Sequence, residues 1–217
     1  IVSAGGAPDG GIMDIPAEAM KIGARPAWMG YVGVADVDAY AAKVKAAGGA
    51  VHHAPQDIPG VGRFAVVADP QGAAFMLFRG SSDEAPPNAA PGTPGHVGWH
   101  ELHAGDGPAA FAFYSGLFGW TAHQAMDMGE MGVYQLFAAG GTAIGGMMTK
   151  PKGMPMPSAW NYYIRVTDLD ASLERAKARE ARLLNGPHDV PSGERVAQLM
   201  DAQGAAFSLV SMPKKAE

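Results

Sequence analysis

The sequence predicts an α+β fold assembled from repeated βαβββ units, and two observations support this prediction. First, residues 28–78 align with residues 160–210 at a constant shift of 132 residues without a gap. The matched residues include Trp28/Trp160, Tyr31/Tyr163, Asp36/Asp168, Pro55/Pro187, Pro59/Pro191 and Arg63/Arg195, and the run 69–75 returns as 201–207. Second, each copy has a strand-like segment before an Asp and a helical segment after it. A repeat of this length indicates duplicated folding units.

The first half of the second copy gives the order of the elements. Residues 96–103 are a strand candidate, and Asp106 is a plausible N-cap with Pro108 just inside the following helix. Residues 109–117 carry apolar side chains at helical spacing, and Gly119 is expected to end that helix. Residues 132–139 and 142–148 are predicted to be two strands joined at a glycine pair.

The second half of this copy repeats the pattern. Residues 162–166 are predicted to form a strand, and Asp168 is predicted to cap a helix over residues 169–179. Two further strands are expected near residues 196–200 and 205–211. The second copy is therefore expected to contain two βαβββ units in succession.

The domain boundaries follow from the repeat and from one segment of different composition. Residues 80–95 are rich in Pro, Gly, Ser and Ala and are predicted to be a linker. We expect a first domain over 1–79 and a second over 96–212. Residues 1–12 resemble residues 136–147 at a shift of 135, so we expect the first domain to lack most of its first βαβββ unit.

Composition restricts the class of protein. The net charge of −5 gives no reason to expect nucleic acid as a partner. The sequence contains no apolar stretch of about 18 residues and no secretory signal, so a membrane role is not predicted. Cysteine is absent, which excludes disulfides and thiolate ligands and fits a cytoplasmic protein. A homodimer is one expectation, because exposed strand edges can pair with a second chain.

Three motifs in order carry a family resemblance. These are the Asp that begins each helix, the sequence Phe113-Tyr-x-x-Leu-Phe-Gly-Trp120, and the turn Asp69-Pro-Gln-Gly72 with its repeat. With these motifs the chain resembles the vicinal oxygen chelate superfamily, which includes glyoxalase I, bleomycin-resistance proteins and extradiol dioxygenases, and most of all its tandem glyoxalase-like members. The resemblance implies paired units that curl mixed sheets into a cup, with helices outside and a ligand within.

The resemblance also implies where a metal ion would be held. In the metal enzymes of the superfamily, one ligand lies seven residues before the helix-capping Asp and another lies seven residues after the Asp of the turn. In this chain those positions hold residues that offer a hard cation at most one weak neutral oxygen each: Trp99, Asn161, Ser208, Met29 and Met76. The sequence therefore predicts that the superfamily's metal site is absent and that no cofactor is needed.

Ionisable residues are densest on the strand before Asp106. Alternation along a strand places Trp99, Glu101 and His103 on one face, which the resemblance implies is the cup face. Glu101 and His103 could form an acid–base pair, contact a ligand, or hold a displaced Zn, Ni, Mn or Fe ion. The other interpretation is structural, with Glu101 bound to a neighbouring group and His103 beside solvent.

On the matching strand, Asn161, Tyr163 and Arg165 alternate onto the same expected face, and Ser208 joins them from the last strand. Arg165 is predicted to form an ion pair, with Glu101 as one candidate partner, or to bind an anionic ligand. Arg63 and Arg195 recur with Asp57 and Asp189, which predicts an architectural Arg–Asp clamp in each copy.

Three hypotheses for function remain. The first is a small-molecule binding protein without the metal site, with Trp99, Glu101, His103, Asn161, Tyr163, Arg165 and Ser208 as ligand contacts. The second is a metal-dependent lyase, isomerase or dioxygenase with ligands displaced to Glu101 and His103. The third is a structural or partner-binding protein whose cups are filled by side chains.

Overall fold

The computed structural model describes residues 1–21, 23–82, 89–90, 92–153 and 156–212. Its strands are β1 (Val2–Ala4), β2 (Ala7–Gly10), β3 (Tyr31–Gly33), β4 (Ala50–Ile58), β5 (Gly62–Ala68), β6 (Ala74–Gly80), β7 (Val97–Ala104), β8 (Thr121–Asp127), β9 (Val133–Ala139), β10 (Thr142–Thr149), β11 (Ala159–Arg165), β12 (Arg182–Asp189), β13 (Arg195–Met200) and β14 (Ala206–Ser211). Its α-helices are α1 (Ala17–Lys21), α2 (Val37–Ala46), α3 (Gly107–Phe118) and α4 (Leu169–Lys177). The predicted α+β class with βαβββ units is confirmed.

The predicted linker at 80–95 lies partly outside the described residues, because 83–88 and 91 are not described. Its described part after Gly80 contains neither helix nor strand. No helix in the described part of the chain is long and apolar enough to cross a lipid bilayer.

The chain forms two compact units. Unit 1 contains residues 1–28, 88–99 and 161–217, and unit 2 contains residues 29–87 and 100–160. Each unit therefore draws residues from both predicted domains, and the boundaries at 79 and 96 stay a prediction.

Unit 1 contains a glycine-turned hairpin at the start of the chain. Strands β1 and β2 pair antiparallel around Gly5 and Gly6, which have φ angles of 57° and 85°. In unit 2, strands β9 and β10 turn at Gly140 and Gly141 with φ angles of 61° and 84°. Positive φ at both central residues is the two-residue hairpin geometry that glycine allows without steric cost. The predicted likeness of residues 1–12 to residues 136–147 therefore extends to the backbone.

The larger sheet of unit 1 has the strand order β12-β13-β14-β11, with β14 parallel to β11 and the other pairs antiparallel. Helix α4 covers one face of this sheet. Leu169 and Leu173 on α4 form a buried cluster with Ala197, Leu199 and Leu209. Because side chains alternate along a strand, the residues between these apolar ones lie on the opposite face.

Unit 2 contains two four-stranded arrangements, in the orders β3-β6-β5-β4 and β7-β10-β9-β8. Helices α2 and α3 contribute to one buried apolar cluster with residues of both sheets. Aromatic rings fill much of it: Tyr40 stacks on Phe118 at 5.8 Å between centroids, and Trp120 stacks on Phe137 at 4.8 Å. Such pairs stabilise a core beyond the area they bury.

The three longer helices begin in the same way. An Oδ1 atom of Asp36, Asp106 and Asp168 accepts a hydrogen bond from the backbone N–H three residues on, at 2.9, 2.9 and 3.0 Å. This bond satisfies one of the N–H groups that a helix start leaves unpaired. Gly119 ends α3 in the left-handed region with φ 69°, as predicted.

The predicted Arg–Asp clamp is present in both copies, and each clamp includes a helix carboxylate that the sequence analysis missed. Arg63 contacts Asp57 at 2.9 Å and binds both oxygens of Asp38 on α2, at 2.6 and 2.8 Å. Arg195 contacts Asp170 on α4 at 3.0 Å and lies 3.9 Å from Asp189. Each guanidinium therefore links the sheet to the helix that covers it.

A buried polar network in unit 2 fixes the turn between β5 and β6. Asp69 is 2% exposed, and its Oδ1 accepts the N–H groups of Gln71 and Ala73. Its Oδ2 accepts the hydroxyl of Tyr114 at 3.2 Å, and that hydroxyl accepts the indole N–H of Trp160 at 2.9 Å. Tyr114 is fully buried, so these groups depend on one another rather than on solvent.

We expect Tyr114→Phe to lower the free energy of unfolding by about 1–3 kcal/mol, because the buried Asp69 carboxylate and the Trp160 indole lose this partner. Urea denaturation measures the change. Tyr40→Phe is the matched control, since it also removes one hydroxyl and keeps a ring stacked in the same core; about 0.5 kcal/mol or less is expected there. Equal losses for the two variants would contradict this account of the network.

Candidate functional site

The face of the unit 1 sheet opposite α4 carries four of the predicted site residues. Asn161, Tyr163 and Arg165 alternate on β11, and Ser208 on β14 pairs with Tyr163 in the parallel register. The amide of Asn161 donates to the Ser208 hydroxyl at 2.8 Å, and that hydroxyl lies 3.1 Å from the Asn161 carbonyl oxygen. Ser208 is fully buried, so Asn161 and Ser208 satisfy each other inside the sheet.

Gln198 and Trp99 lie beside these four side chains. Gln198 on β13 lies opposite Ser208, and its amide donates to the Tyr163 hydroxyl at 3.0 Å. The ring of Tyr163 packs with Val196 and Val210, and Trp99 packs against the same cluster. The row formed by Asn161, Ser208, Tyr163 and Gln198 is therefore neutral, and Trp99 lies at its aromatic edge. Gln198 was not predicted, although its alternation with Ala197 and Leu199 could have placed it on this face.

Arg165 forms the predicted ion pair, with a partner that the sequence analysis did not name. Its Nη1 lies 2.7 Å from Glu194 Oε1, and the two side chains are 19% and 23% exposed. Gly98 makes room for it, because a Cβ at that position would lie 2.5 Å from Arg165 Nε. Partial burial and a charged partner hold this guanidinium in place more firmly than an exposed pair would.

Unit 2 brings Glu101 and His103 together on β7. Oε2 of Glu101 lies 3.2 Å from Nε2 of His103, and Oε1 accepts the hydroxyl of Tyr134 at 3.1 Å. The Glu101 and His103 side chains are 11% and 15% exposed. Of the interpretations left open for Glu101, a bond to neighbouring protein groups is therefore present, and its use in binding or catalysis stays a prediction.

Tyr134 reaches Glu101 because β10 has a glycine in its path. A Cβ on Gly146 would lie 2.2 Å from the Tyr134 ring. Gly146 is the residue paired with Glu101 in the parallel register of β10 and β7. Tyr134 was missed in the sequence analysis, since its contact with Glu101 spans 33 residues and no local pattern reports it.

One polar atom of His103 has no hydrogen-bond partner within the described part of the chain. Its Nδ1 is buried and makes no hydrogen bond with any described residue. An unsatisfied buried polar atom costs about 1–3 kcal/mol. A group of this kind marks a place where a ligand atom or a water molecule can gain a hydrogen bond.

The residues at the positions where the resemblance places metal ligands are poor donors for a hard cation. Trp99 offers no oxygen, and Asn161 and Ser208 are bonded to each other. In unit 2, Met76 is a buried thioether on β6, a poor ligand for a hard cation. Among the described residues, no group of three or more His, Cys, Asp and Glu side chains is arranged to hold a metal.

His100 lies on the other face of β7 and is held differently. Its Nδ1 donates to the carbonyl oxygen of Ile144 at 2.9 Å. Burial lowers the pKa of His100 below its ordinary value, and the hydrogen bond to Ile144 opposes that shift. His100 is therefore neutral in the folded protein at neutral pH.

The predicted site residues divide between the units. Unit 1 contains Trp99, Asn161, Tyr163, Arg165 and Ser208, and unit 2 contains Glu101 and His103. Within unit 1, Asn161 contacts Ser208, Trp99 packs with Tyr163, and Arg165 turns to Glu194. Within unit 2, Glu101 and His103 are in contact.

Comparison with known proteins gives consistent matches. The family model described as "Glyoxalase/Bleomycin resistance protein/Dioxygenase superfamily" matches residues 9–77 and 93–209. "Putative glyoxylase CFP32" of Mycobacterium bovis is 35% identical over 189 residues, which cover 87% of this chain and 70% of that protein. "Anthracycline biosynthesis protein DnrV" of Streptomyces peucetius is 36% identical over 186 residues, which cover 85% of this chain and 66% of that protein.

A solved structure shares the fold. The Mn(II)-bound glyoxalase from Novosphingobium aromaticivorans matches with a TM-score of 0.59 at 16% identity, over 86% of this chain and 63% of that one. At this identity the likeness concerns the fold alone.

His100 predicts a pH dependence of stability. Its pKa is lowered in the folded state, and the unfolded side chain titrates near the ordinary value of about 6.5. Below that pH the unfolded chain takes up a proton that the folded chain refuses, so the contribution is complete above about pH 6.5 and is lost as the pH falls.

Urea denaturation between pH 5 and 8 tests this dependence. We expect the stability advantage of the wild type over His100→Gln to shrink as the pH falls below 6.5, because the variant has no proton to take up. His52→Gln, at an exposed position on β4, is the matched control and should follow the wild type at every pH. A constant difference between wild type and His100→Gln would show that His100 does not titrate on unfolding.

Proposed function

The chain belongs to the Glyoxalase/Bleomycin resistance protein/Dioxygenase superfamily, and from this premise we propose that it binds a small molecule without the metal ion of the superfamily's metal enzymes. One observation carries the proposal. Asn161 and Ser208 occupy two of the expected ligand positions and bond to each other, so each side-chain oxygen already has a hydrogen-bond partner in the protein.

The sheet faces suit a binding role. In unit 1 the face opposite α4 carries the partly exposed side chains of Trp99, Asn161 and Gln198, which can orient a ligand by ring contact and by hydrogen bonds. In unit 2 the buried pair of Glu101 and His103 supplies polar contacts, and His103 Nδ1 lacks a protein partner among the described residues.

The relatives' names give two directions for the ligand. One relative is named a glyoxylase and another is named for anthracycline biosynthesis. This chain spans 70% and 66% of those proteins, and the activity, substrates and partners of the whole protein are part of the proposal. A cytoplasmic location belongs to the same proposal.

The alternative is a metal-dependent lyase, isomerase or dioxygenase with displaced ligands. The contact of 3.2 Å between Glu101 and His103 is the observation in its favour, since carboxylate and imidazole are ligands that divalent metals accept. Two donors on one strand leave the rest of a coordination shell to groups outside the pair.

Metal analysis decides between the two functions. The purified protein is incubated separately with Mn²⁺, Fe²⁺, Ni²⁺ and Zn²⁺, desalted, and analysed by inductively coupled plasma mass spectrometry. We expect well below one ion per chain, because the expected ligand positions offer no charged donor. Near-stoichiometric metal that is lost in Glu101→Ala and kept in Glu174→Ala, an exposed control on α4, would overturn the proposal.

A ligand survey tests the binding role itself. Thermal unfolding is followed in the presence of EDTA with a library of aromatic, anionic and cationic small molecules. A ligand that binds only the folded state adds about 2.7 kcal/mol at a concentration of one hundred times its Kd, so binding raises the unfolding midpoint. We expect at least one class to do so. A library without a single stabilising compound in EDTA would refute a metal-independent binding protein.

A further inference from the structure

One face of the β7-β10-β9-β8 arrangement in unit 2 combines a carboxylate, an imidazole, two methionine side chains and a tyrosine ring. Glu101 and His103 pair with Gly146 and Met148 of β10. Met148 pairs with Tyr134 of β9, and Tyr134 pairs with Met126 of β8. Residues directly paired across strands point to the same side of a sheet. We call the side shared by Glu101, His103, Met148, Tyr134 and Met126 the Met–Glu face.

The Met–Glu face is partly accessible at its apolar members. Tyr134, Met126 and Met148 are half-buried, and Glu101 is buried with 9% of the residue exposed. Gly146 places no side chain at the centre of the face, and the Tyr134 ring lies over this glycine. Thioether side chains adapt to flat ring systems and make favourable sulfur–aromatic contacts.

The polar groups on this face select the charge of a ligand. Oε1 of Glu101 accepts the Tyr134 hydroxyl, Oε2 lies 3.2 Å from His103 Nε2, and the Glu101 side chain is only 11% exposed, so the carboxyl group lies in a poorly hydrated place. A negative charge with few water molecules around it attracts a cation more strongly than an exposed carboxylate does. The same charge repels anionic ligands.

His103 adds an acceptor. Because the Glu101 carboxylate can only accept, Nε2 of His103 carries the proton in their contact, and in the neutral ring Nδ1 is then an acceptor. This buried Nδ1 receives no hydrogen bond from the described residues.

We propose that the Met–Glu face binds a planar, apolar ring system that carries a basic amine. The rings lie against Met126, Met148 and Tyr134, and the ammonium group is directed to the Glu101 carboxylate. This inference rests on the proposed small-molecule binding function and assigns the chemical class of its ligand.

Three fluorescent probes of similar shape and different charge test the proposal: 9-aminoacridine, which is a cation at neutral pH, neutral 9-anthracenemethanol, and anionic 9-anthracenecarboxylate. Fluorescence titration of the purified protein in EDTA gives each affinity. We expect the cation to bind most tightly and the anion most weakly, with about tenfold or more between these two, which corresponds to about 1.4 kcal/mol.

Variants assign the binding to this face. Glu101→Gln should weaken 9-aminoacridine binding about tenfold and leave 9-anthracenemethanol nearly unchanged, because only the charge is removed. Met148→Ala should weaken all three probes alike, because it removes ring contact. Glu174→Gln, the matched carboxylate control on α4, should bind every probe as the wild type does.

Several results would overturn the assignment. These are anion binding as tight as cation binding in the wild type, or unchanged 9-aminoacridine affinity in a folded Glu101→Gln protein. If Glu101→Gln does not fold, the charge order in the wild type and the Met148→Ala result still decide the matter. If compounds in the ligand survey bind while 9-aminoacridine does not, this inference fails and the binding function stands; if nothing in the survey binds, both fail.

Discussion

One constraint governs this protein: each βαβββ unit has a single helix for its sheet, so apolar packing by that helix covers only one of the two sheet faces. In unit 1, α4 buries Leu199 and Leu209 from one side. Their neighbours in sequence, Gln198 and Ser208, must then lie on the side that the helix leaves uncovered. Polar side chains there are stable only when each finds a hydrogen-bond partner, and this requirement shapes everything on that side of the sheet.

The compact units 1 and 2 satisfy the polar side chains on these sheet faces with different chemical groups. In unit 1, amide and hydroxyl groups close on one another, with Asn161 bonded to Ser208 and Tyr163 to Gln198, so the row carries no charge. In unit 2, the Glu101 carboxyl group contacts both a tyrosine and a histidine, and one ring nitrogen of that histidine has no partner among the described residues. A neutral row whose hydrogen bonds are internal favours the recognition of a ligand by its shape. A buried carboxylate beside a ring nitrogen without a described partner favours the recognition of a ligand by its charge. This contrast is why the charge-selective proposal concerns unit 2.

Signals within a few residues made much of the fold predictable from the sequence. Features that depend on contacts between residues far apart in the sequence could not be predicted. Asp caps, the Gly119 stop and paired glycines act within a few residues, so they could be read directly. Strands β8 and β12 were not located, because they end the strand order and β8 is exposed along almost its whole length, which removes the apolar alternation. In the candidate site, alternation placed Glu101 beside His103, but it could not name Tyr134 or Glu194, which come from strands and loops about 30 residues away.

The Arg–Asp clamps bear on how this duplicated protein tolerates change. Arg63 binds Asp38 through two nitrogens and reaches Asp57 as well, whereas Arg195 keeps one short contact, to Asp170, and a distance of 3.9 Å to Asp189. The corresponding arginines of the two copies thus make different numbers of short contacts. Tolerance to substitution measured by mutational scanning in one half therefore cannot be transferred by alignment to the other half. Loops grafted onto this scaffold are expected to be tolerated to different degrees in the two halves.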